Sequence, residues 1–228
     1  MPLPSFLNAK NINLGLQTTA RSTRGGAARS KKLSLSIALQ EQSNWCWAAV
    51  SHSISQFYDS ASAWTQCKIV NEGLDRQDCC GSAASNRVRC NVPWYLDRAL
   101  SLTSNFVDLL TAHAPAPAMS FAAIQTQINK GTAVCTRVGW TGGGGHFQAI
   151  VGWTIGSSGD EYIVVSDPIY KETTILVRDF AASYQAGGKW THAYLTAPAP
   201  TRDAAGGAGT IPQAAKRPAY ADPDLVGA

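Results

Sequence analysis

The stretch Gly131-Thr-Ala-Val-Cys-Thr-Arg-Val-Gly-Trp140-Thr-Gly-Gly-Gly-Gly-His146-Phe-Gln-Ala-Ile-Val-Gly-Trp-Thr-Ile155 decides how the chain is read, because the hydrophobic period changes to two at its start. Segments 132–140, 146–155, 161–166, 173–178 and 191–195 are rich in Val, Ile, Thr and aromatics and are separated by Gly, Ser, Asp or Pro, which predicts strands. Upstream the period is helical. Trp47, Val50, Ile54 and Phe57 predict a buried amphipathic helix over 44–58, with Ser43 or Asn44 as its N-cap. Shorter helices are predicted over 92–102, where Pro93 suits a first turn, and over 120–130, where Ile124 and Ile128 share a face and Gly131 ends the run. Helices followed by a run of strands indicate an α+β fold with an antiparallel sheet.

The 228 residues are 45% hydrophobic and 15% charged, enough for one compact domain with extensions at both ends. No window is long and apolar enough for a membrane span, and the N-terminus lacks the apolar core of a secretory signal. The net charge of +4 divides unevenly: Lys10, Arg21, Arg24, Arg29, Lys31 and Lys32 precede any acidic residue, leaving 13 basic against 15 acidic residues from Glu41 onward. The basicity therefore belongs to a tail, and the body gives no electrostatic case for a nucleic-acid partner. Residues 1–38 read as a basic, flexible or weakly helical extension, either a targeting or pro-segment or a plain solvated tail. Residues 39–196 read as the domain. Residues 197–228, rich in Pro, Ala and Gly, read as disordered. No internal repeat is present, which excludes solenoids and propellers.

The chemistry starts at Gln40-Glu-Gln-Ser-Asn-Trp-Cys46-Trp-Ala-Ala. A thiol in the first helical turn faces unpaired backbone N–H groups and the positive end of the helix dipole, both of which favour thiolate. Cys46 is thus placed as a nucleophile, with a buried structural cysteine as the competing reading. The four glycines before His146 break the tie. Glycine beside a polar side chain costs stability unless a close approach is needed. His146 heads one strand, and Asp167, in Tyr162-Ile-Val-Val-Ser-Asp167-Pro168, ends the next. Antiparallel pairing brings those ends together, so that Asp167 accepts from one ring nitrogen of His146 while the other faces Cys46.

The order Cys, His, Asp, with a Gln six residues before a Cys-Trp-Ala-Ala helix start and an Asp-Pro after the His strand, resembles papain-like cysteine proteases. The likeness is greatest to their bacterial branches, the double-glycine leader peptidases and the effector proteases of plant pathogens, and covers residues 39–195. The resemblance implies a papain-like α+β fold, a helical half carrying the nucleophile and a β half. It further implies a Cys46–His146–Asp167 triad, with Gln40 and the Cys46 N–H forming the oxyanion hole. Three features depart from papain: Asn44-Trp45 stands where papain has Gly-Ser or Gly-Ala, the 100-residue interval from Cys46 to His146 is shorter, and Asp167 replaces an Asn.

The expected activity is that of a cysteine endopeptidase, with no cofactor or metal, acting as a monomer on a protein or peptide substrate. Acyl transfer or deamidation on the same triad, and a catalytically idle, disulfide-stapled binding module, are the alternatives. Gln42 is the alternative oxyanion donor. His52, His113 and His192 read as structural, and the glycine run lacks the Lys-Ser/Thr ending of a phosphate loop. Trp45, Trp47, Trp140 and Trp153 are candidates for an apolar substrate pocket.

Of the other cysteines, Cys135 reads as a free core thiol. Cys67, Cys79, Cys80 and Cys90 lack a C-x-x-C pair, which disfavours zinc, and predict two disulfides, Cys67 with Cys79 or Cys80 and Cys90 with the other. Disulfides imply an oxidising compartment. With no visible signal peptide, that predicts secretion by a leaderless route, the cytoplasm being the other location.

Overall fold

The computed structural model describes residues 29–83, 88–113 and 116–200. Strands β1 (Ser30–Lys32), β2 (Phe106–Thr111), β3 (Val134–Gly139), β4 (Gly145–Ile155), β5 (Glu161–Asp167), β6 (Lys171–Leu176) and β7 (Lys189–Thr196) form one antiparallel sheet. Its order is β2-β7-β3-β4-β5-β6, with β1 paired to the far half of β4. The helices are α1 (Cys46–Tyr58), α2 (Gln66–Gly73), α3 (Leu96–Leu102), α4 (Phe121–Lys130) and α5 (Val177–Ser183). α1 packs on β4 with α2 and α3 beside it, giving the α+β, papain-like division into a helical half and a sheet half. No helix among the described residues is long and apolar enough to cross a membrane.

The five expected strands are present within a residue or two of their predicted ends, and α4 starts and stops on the expected signals. Ser120 accepts from the Ala123 N–H, and Gly131 takes the left-handed conformation, φ 86°, that closes a helix without a Cβ penalty. Trp47, Ile54, Ile69, Leu100, Ile124, Ile150 and Phe180 are wholly buried between the layers. Each contributes about 1.5–3 kcal/mol of transfer free energy relative to exposure.

Elsewhere the expectations need correction. The boundary at residue 38 falls inside the domain, because β1 pairs with β4 and Leu33, Leu35 and Ile37 are buried while their neighbours Ser34 and Ser36 face solvent. This strap is stitched on both sides. Leu33 N–H donates to Val151 O, Ile37 N–H to Ser166 Oγ and Ala38 N–H to Ser53 Oγ. The rest of the expected N-terminal extension, residues 1–28, and the tail from residue 201 lie outside the described residues.

Neither Ser43 nor Asn44 caps α1, which begins at Cys46 behind Trp45 with no side-chain cap. Both side chains are committed to Asn91. α3 starts at Leu96 and not at residue 92, because Val92 O is held by Trp47 Nε1 and the chain stays extended up to Tyr95. α2, which carries Cys67 and whose cap Thr65 accepts from the Lys68 N–H, is a helix with no counterpart among the predicted ones. β2 and α5 had no counterpart in the periodicity. β2 is an edge strand that is largely exposed, and α5 begins where the last residues of an expected strand turn away. The disulfides are Cys67–Cys80 and Cys79–Cys90, and Cys46 and Cys135 are free.

Candidate active site

Three elements converge on one cleft. β4 and β5 are antiparallel with Ala149 opposite Ser166, so the first residues of β4 lie beside the last of β5. His146 and Asp167 meet there: His146 Nε2 lies 2.9 Å from Asp167 Oδ1, and both side chains are almost fully buried. The N-terminus of α1 faces the same point and brings Cys46 to the wall on which His146 stands. The bond through Nε2 leaves Nδ1 of the imidazole as the nitrogen for Cys46.

The glycines before His146 have two physical reasons. Gly143 and Gly144 sit at φ 91° and 83°, where a side chain is strained. A Cβ on Gly145 would stand 2.6 Å from Arg137 Nε, inside the space of a buried guanidinium. The loop is therefore a tight turn over Arg137, whose Nη1 donates to Thr191 Oγ1.

Asp167 is surrounded by donors. Oδ1 accepts from His146 and from the backbone N–H groups of Ile169 and Tyr170 at 2.7 and 3.0 Å, and Oδ2 accepts from Tyr184 Oη at 2.9 Å. Burial would push this carboxyl up, but the hydrogen bond and charge of His146, with the two backbone donors, pull it below the ordinary carboxylate value. Burial likewise works against a charged His146. The hydrogen bond to Asp167 and the interaction with the Cys46 side chain outweigh it, and hold the imidazole up at about 9.

Tyr184 was absent from the sequence reading. Its hydroxyl is pushed above the ordinary phenol value by burial and by the Asp167 charge, so it stays protonated and donates. No periodic signal marks it, because it is placed by its bridge to Gly188. Tyr184→Phe should keep the fold yet remove one donor from Asp167. The acid limb of kcat/KM should rise by about one pH unit, the differential weight of one charge-assisted hydrogen bond. An unmoved acid limb in a pH–rate profile would leave Tyr184 a packing residue only.

Gln40 is not itself a cleft-lining residue but stands directly behind one: its Nε2 donates at 2.6 Å to the O of Ser43, which lines the cleft, its N–H donates to Pro168 O, and its Oε1 is buried without a partner. The remaining candidates lie apart. Gln42 faces a separate hollow beside Trp45 and the disulfides. His52 bonds Trp64 O through Nδ1, His113 bonds Thr111 and His192 bonds Thr191, all away from Cys46. Of the four tryptophans expected at a pocket, Trp47 and Trp140 line the cleft, joined by Trp94 and Tyr170. Trp153 instead packs edge-on against Phe121 and bonds Asn129. The cleft holds about 160 Å³. Cys135 is wholly buried, and burial pushes its thiol far up, which fits a core thiol and not a second nucleophile.

The family model described as papain-like cysteine protease AvrRpt2 (Peptidase_C70) matches residues 29–185, from the strap that pairs with β4 to the turn beyond Tyr184. The chain belongs to this family. The protease thus carries the match over more than half its length, including Cys46, His146 and Asp167. No curated protein matches the chain.

Proposed function

We propose that this protease is an endopeptidase acting through a Cys46–His146–Asp167 triad, with the Cys46 N–H and Gln40 stabilising the oxyanion. The observation that carries the reading is the buried His146–Asp167 contact at 2.9 Å beside the only free cysteine on the cleft wall among the described residues. Cys46 Sγ attacks the substrate carbonyl, and the C=O π electrons move onto the oxygen. The first-turn N–H groups of α1, which no side chain caps, meet that charge. An amide nitrogen carries two N–H groups, so Gln40 Nε2 spends one on Ser43 O and has one left for the oxyanion. His146 imidazolium gives its proton to the leaving amine as the C–N bond breaks. The neutral ring then takes a proton from water, whose oxygen attacks the acyl-enzyme and releases Cys46.

Trp47, Trp94 and Trp140 make the walls apolar, which suits a substrate presenting an apolar side chain next to the scissile bond. The substrate is a protein, and we infer that the enzyme takes it as a monomer, without a nucleic-acid or membrane partner. Two disulfides support work in an oxidising compartment after export. The test is mass spectrometry of products from a peptide library. New internal termini are expected. Peptides whose masses change with their backbones intact would mark acyl transfer or deamidation instead.

A further inference from the structure

The turn that delivers Cys46 has no cap of its own, yet it is gripped from outside by three consecutive residues. Asn91 Oδ1 accepts from the Asn44 N–H at 2.8 Å, Asn91 O accepts from Asn44 Nδ2 at 2.8 Å, and Asn91 Nδ2 donates to Ser43 Oγ at 2.8 Å. On either side, Cys90 O accepts from Trp45 Nε1 at 2.8 Å and Val92 O from Trp47 Nε1 at 3.1 Å. Residues 43, 44, 45 and 47 are thus each tied to the segment 90–92, which lies 47 residues from Asn44 along the chain. That segment is anchored by the Cys79–Cys90 disulfide. Cys79 is fixed in turn by its N–H bond to Asn71 Oδ1 on α2, and the neighbouring Cys80 is joined to Cys67 on the same helix. A continuous path of covalent and hydrogen bonds therefore runs from α2 through both disulfides to the residue before the nucleophile helix.

We propose that Asn91 is a positioning residue for the reaction: anchored by the Cys79–Cys90 disulfide, it holds the Ser43–Trp45 turn so that the Cys46 N–H and sulfur face the cleft together. Ser43 and Asn44 themselves line that cleft, so a shift of this turn moves the oxyanion donors relative to His146. The same clamp explains why neither side chain caps α1. The inference rests on Cys46 being the nucleophile, and its predicted signature is in turnover and not in binding, because Asn91 itself is not a cleft-lining residue. A displacement of about 1 Å at the reacting groups costs on the order of 100-fold in rate.

The test compares Asn91→Leu, Asn91→Asp and the double variant Cys79→Ser/Cys90→Ser with wild type. Asn91→Leu should lower kcat by about 10- to 100-fold with KM nearly unchanged. Asn91→Asp keeps both acceptors for Asn44 and can accept from the Ser43 hydroxyl, so it should recover most of kcat. Removing the disulfide should lower kcat alone but add little in the Asn91→Leu background, since both act on one turn. Wild-type kcat in Asn91→Leu, equal losses in the Leu and Asp variants, or fully additive losses with the disulfide variant would each overturn the proposal. Should Asn91→Leu fail to fold, Asn44→Ala removes the Nδ2 bond to Asn91 O from the other side, and wild-type kcat there counts against the clamp. If Cys46→Ala is inactive while these variants are wild type, only the clamp falls; if Cys46→Ala turns over normally, the nucleophile assignment falls first.

Discussion

Cys46→Ala is expected to fold like the wild type and to lose four to six orders of magnitude in kcat, the loss typical of removing the nucleophile from a unit of interdependent groups (~10⁴ to 10⁶). The folding half of this expectation comes from packing. Cys46 is the first residue of α1 and faces the cleft, so deleting its sulfur enlarges an existing space and does not open a void in the core. The catalytic half comes from chemistry. Without the sulfur no acyl-enzyme forms, while the oxyanion donors and His146 remain. The two halves are checked together by near-UV circular dichroism and by turnover of a cleaved peptide. A folded Cys46→Ala protein that keeps most of its activity would remove Cys46 from the mechanism.

The second large effect is on pH. His146 is held at about 9, against an ordinary value of 6.5, and Asp167 is held below its ordinary value of 3.8. For a base whose pKa is raised by folding, the stabilisation is complete below about 6.5 and is lost as pH rises through 9. For the acid it is complete above about 4 and is lost as pH falls through the lowered value. The pair therefore stabilises the fold most between about pH 4 and 6.5. A shift of this size at a buried group corresponds to about 3 kcal/mol, counted once for the two partners.

The activity follows the same ionisation, because the leaving amine needs the imidazolium proton. The alkaline limb of kcat/KM should fall near pH 9. His146→Ala should abolish turnover. Asp167→Asn can still accept from His146 Nε2, Ile169 N–H and Tyr170 N–H through its amide oxygen, while its amide nitrogen donates to Tyr184 Oη. It should retain measurable activity, with the alkaline limb moved down toward the ordinary imidazole range as the charge is lost; Asp167→Ala should lose much more. An Asp167→Asn limb still near 9, read from pH–rate profiles, would show that the carboxylate charge does not hold the proton on His146.

Several parts of this protein were legible without a structure because their signals are local. The helix bearing Cys46, the helix ending at Gly131 and the five strands after it follow from hydrophobic periods and turn residues within a few positions of one another. His146 and Asp167 could be linked because hairpin strands pair by proximity in sequence, which leaves few registers to consider. Four cysteines close together announced two disulfides, although spacing allowed either partner for Cys67. The strap was also written in the chain as the alternation Leu33-Ser-Leu35-Ser-Ile37, but the basic, small-residue composition around it masked those buried positions.

What only the tertiary structure decided depends on contacts between residues distant in sequence or on directions that no period encodes. Choosing Cys80 over Cys79 as the partner of Cys67 needed the orientation of both sulfurs relative to α2. Tyr184 reaches Asp167 from the turn between α5 and β7, and Asn91 reaches Asn44 across 47 residues, each through polar atoms that leave no trace in hydrophobic patterning. Apolar periodicity records which face of an element is buried. It does not record which hydroxyl or amide the fold brings to a carboxylate, so the groups that tune and hold this site became visible only once the sheet and helices were assembled.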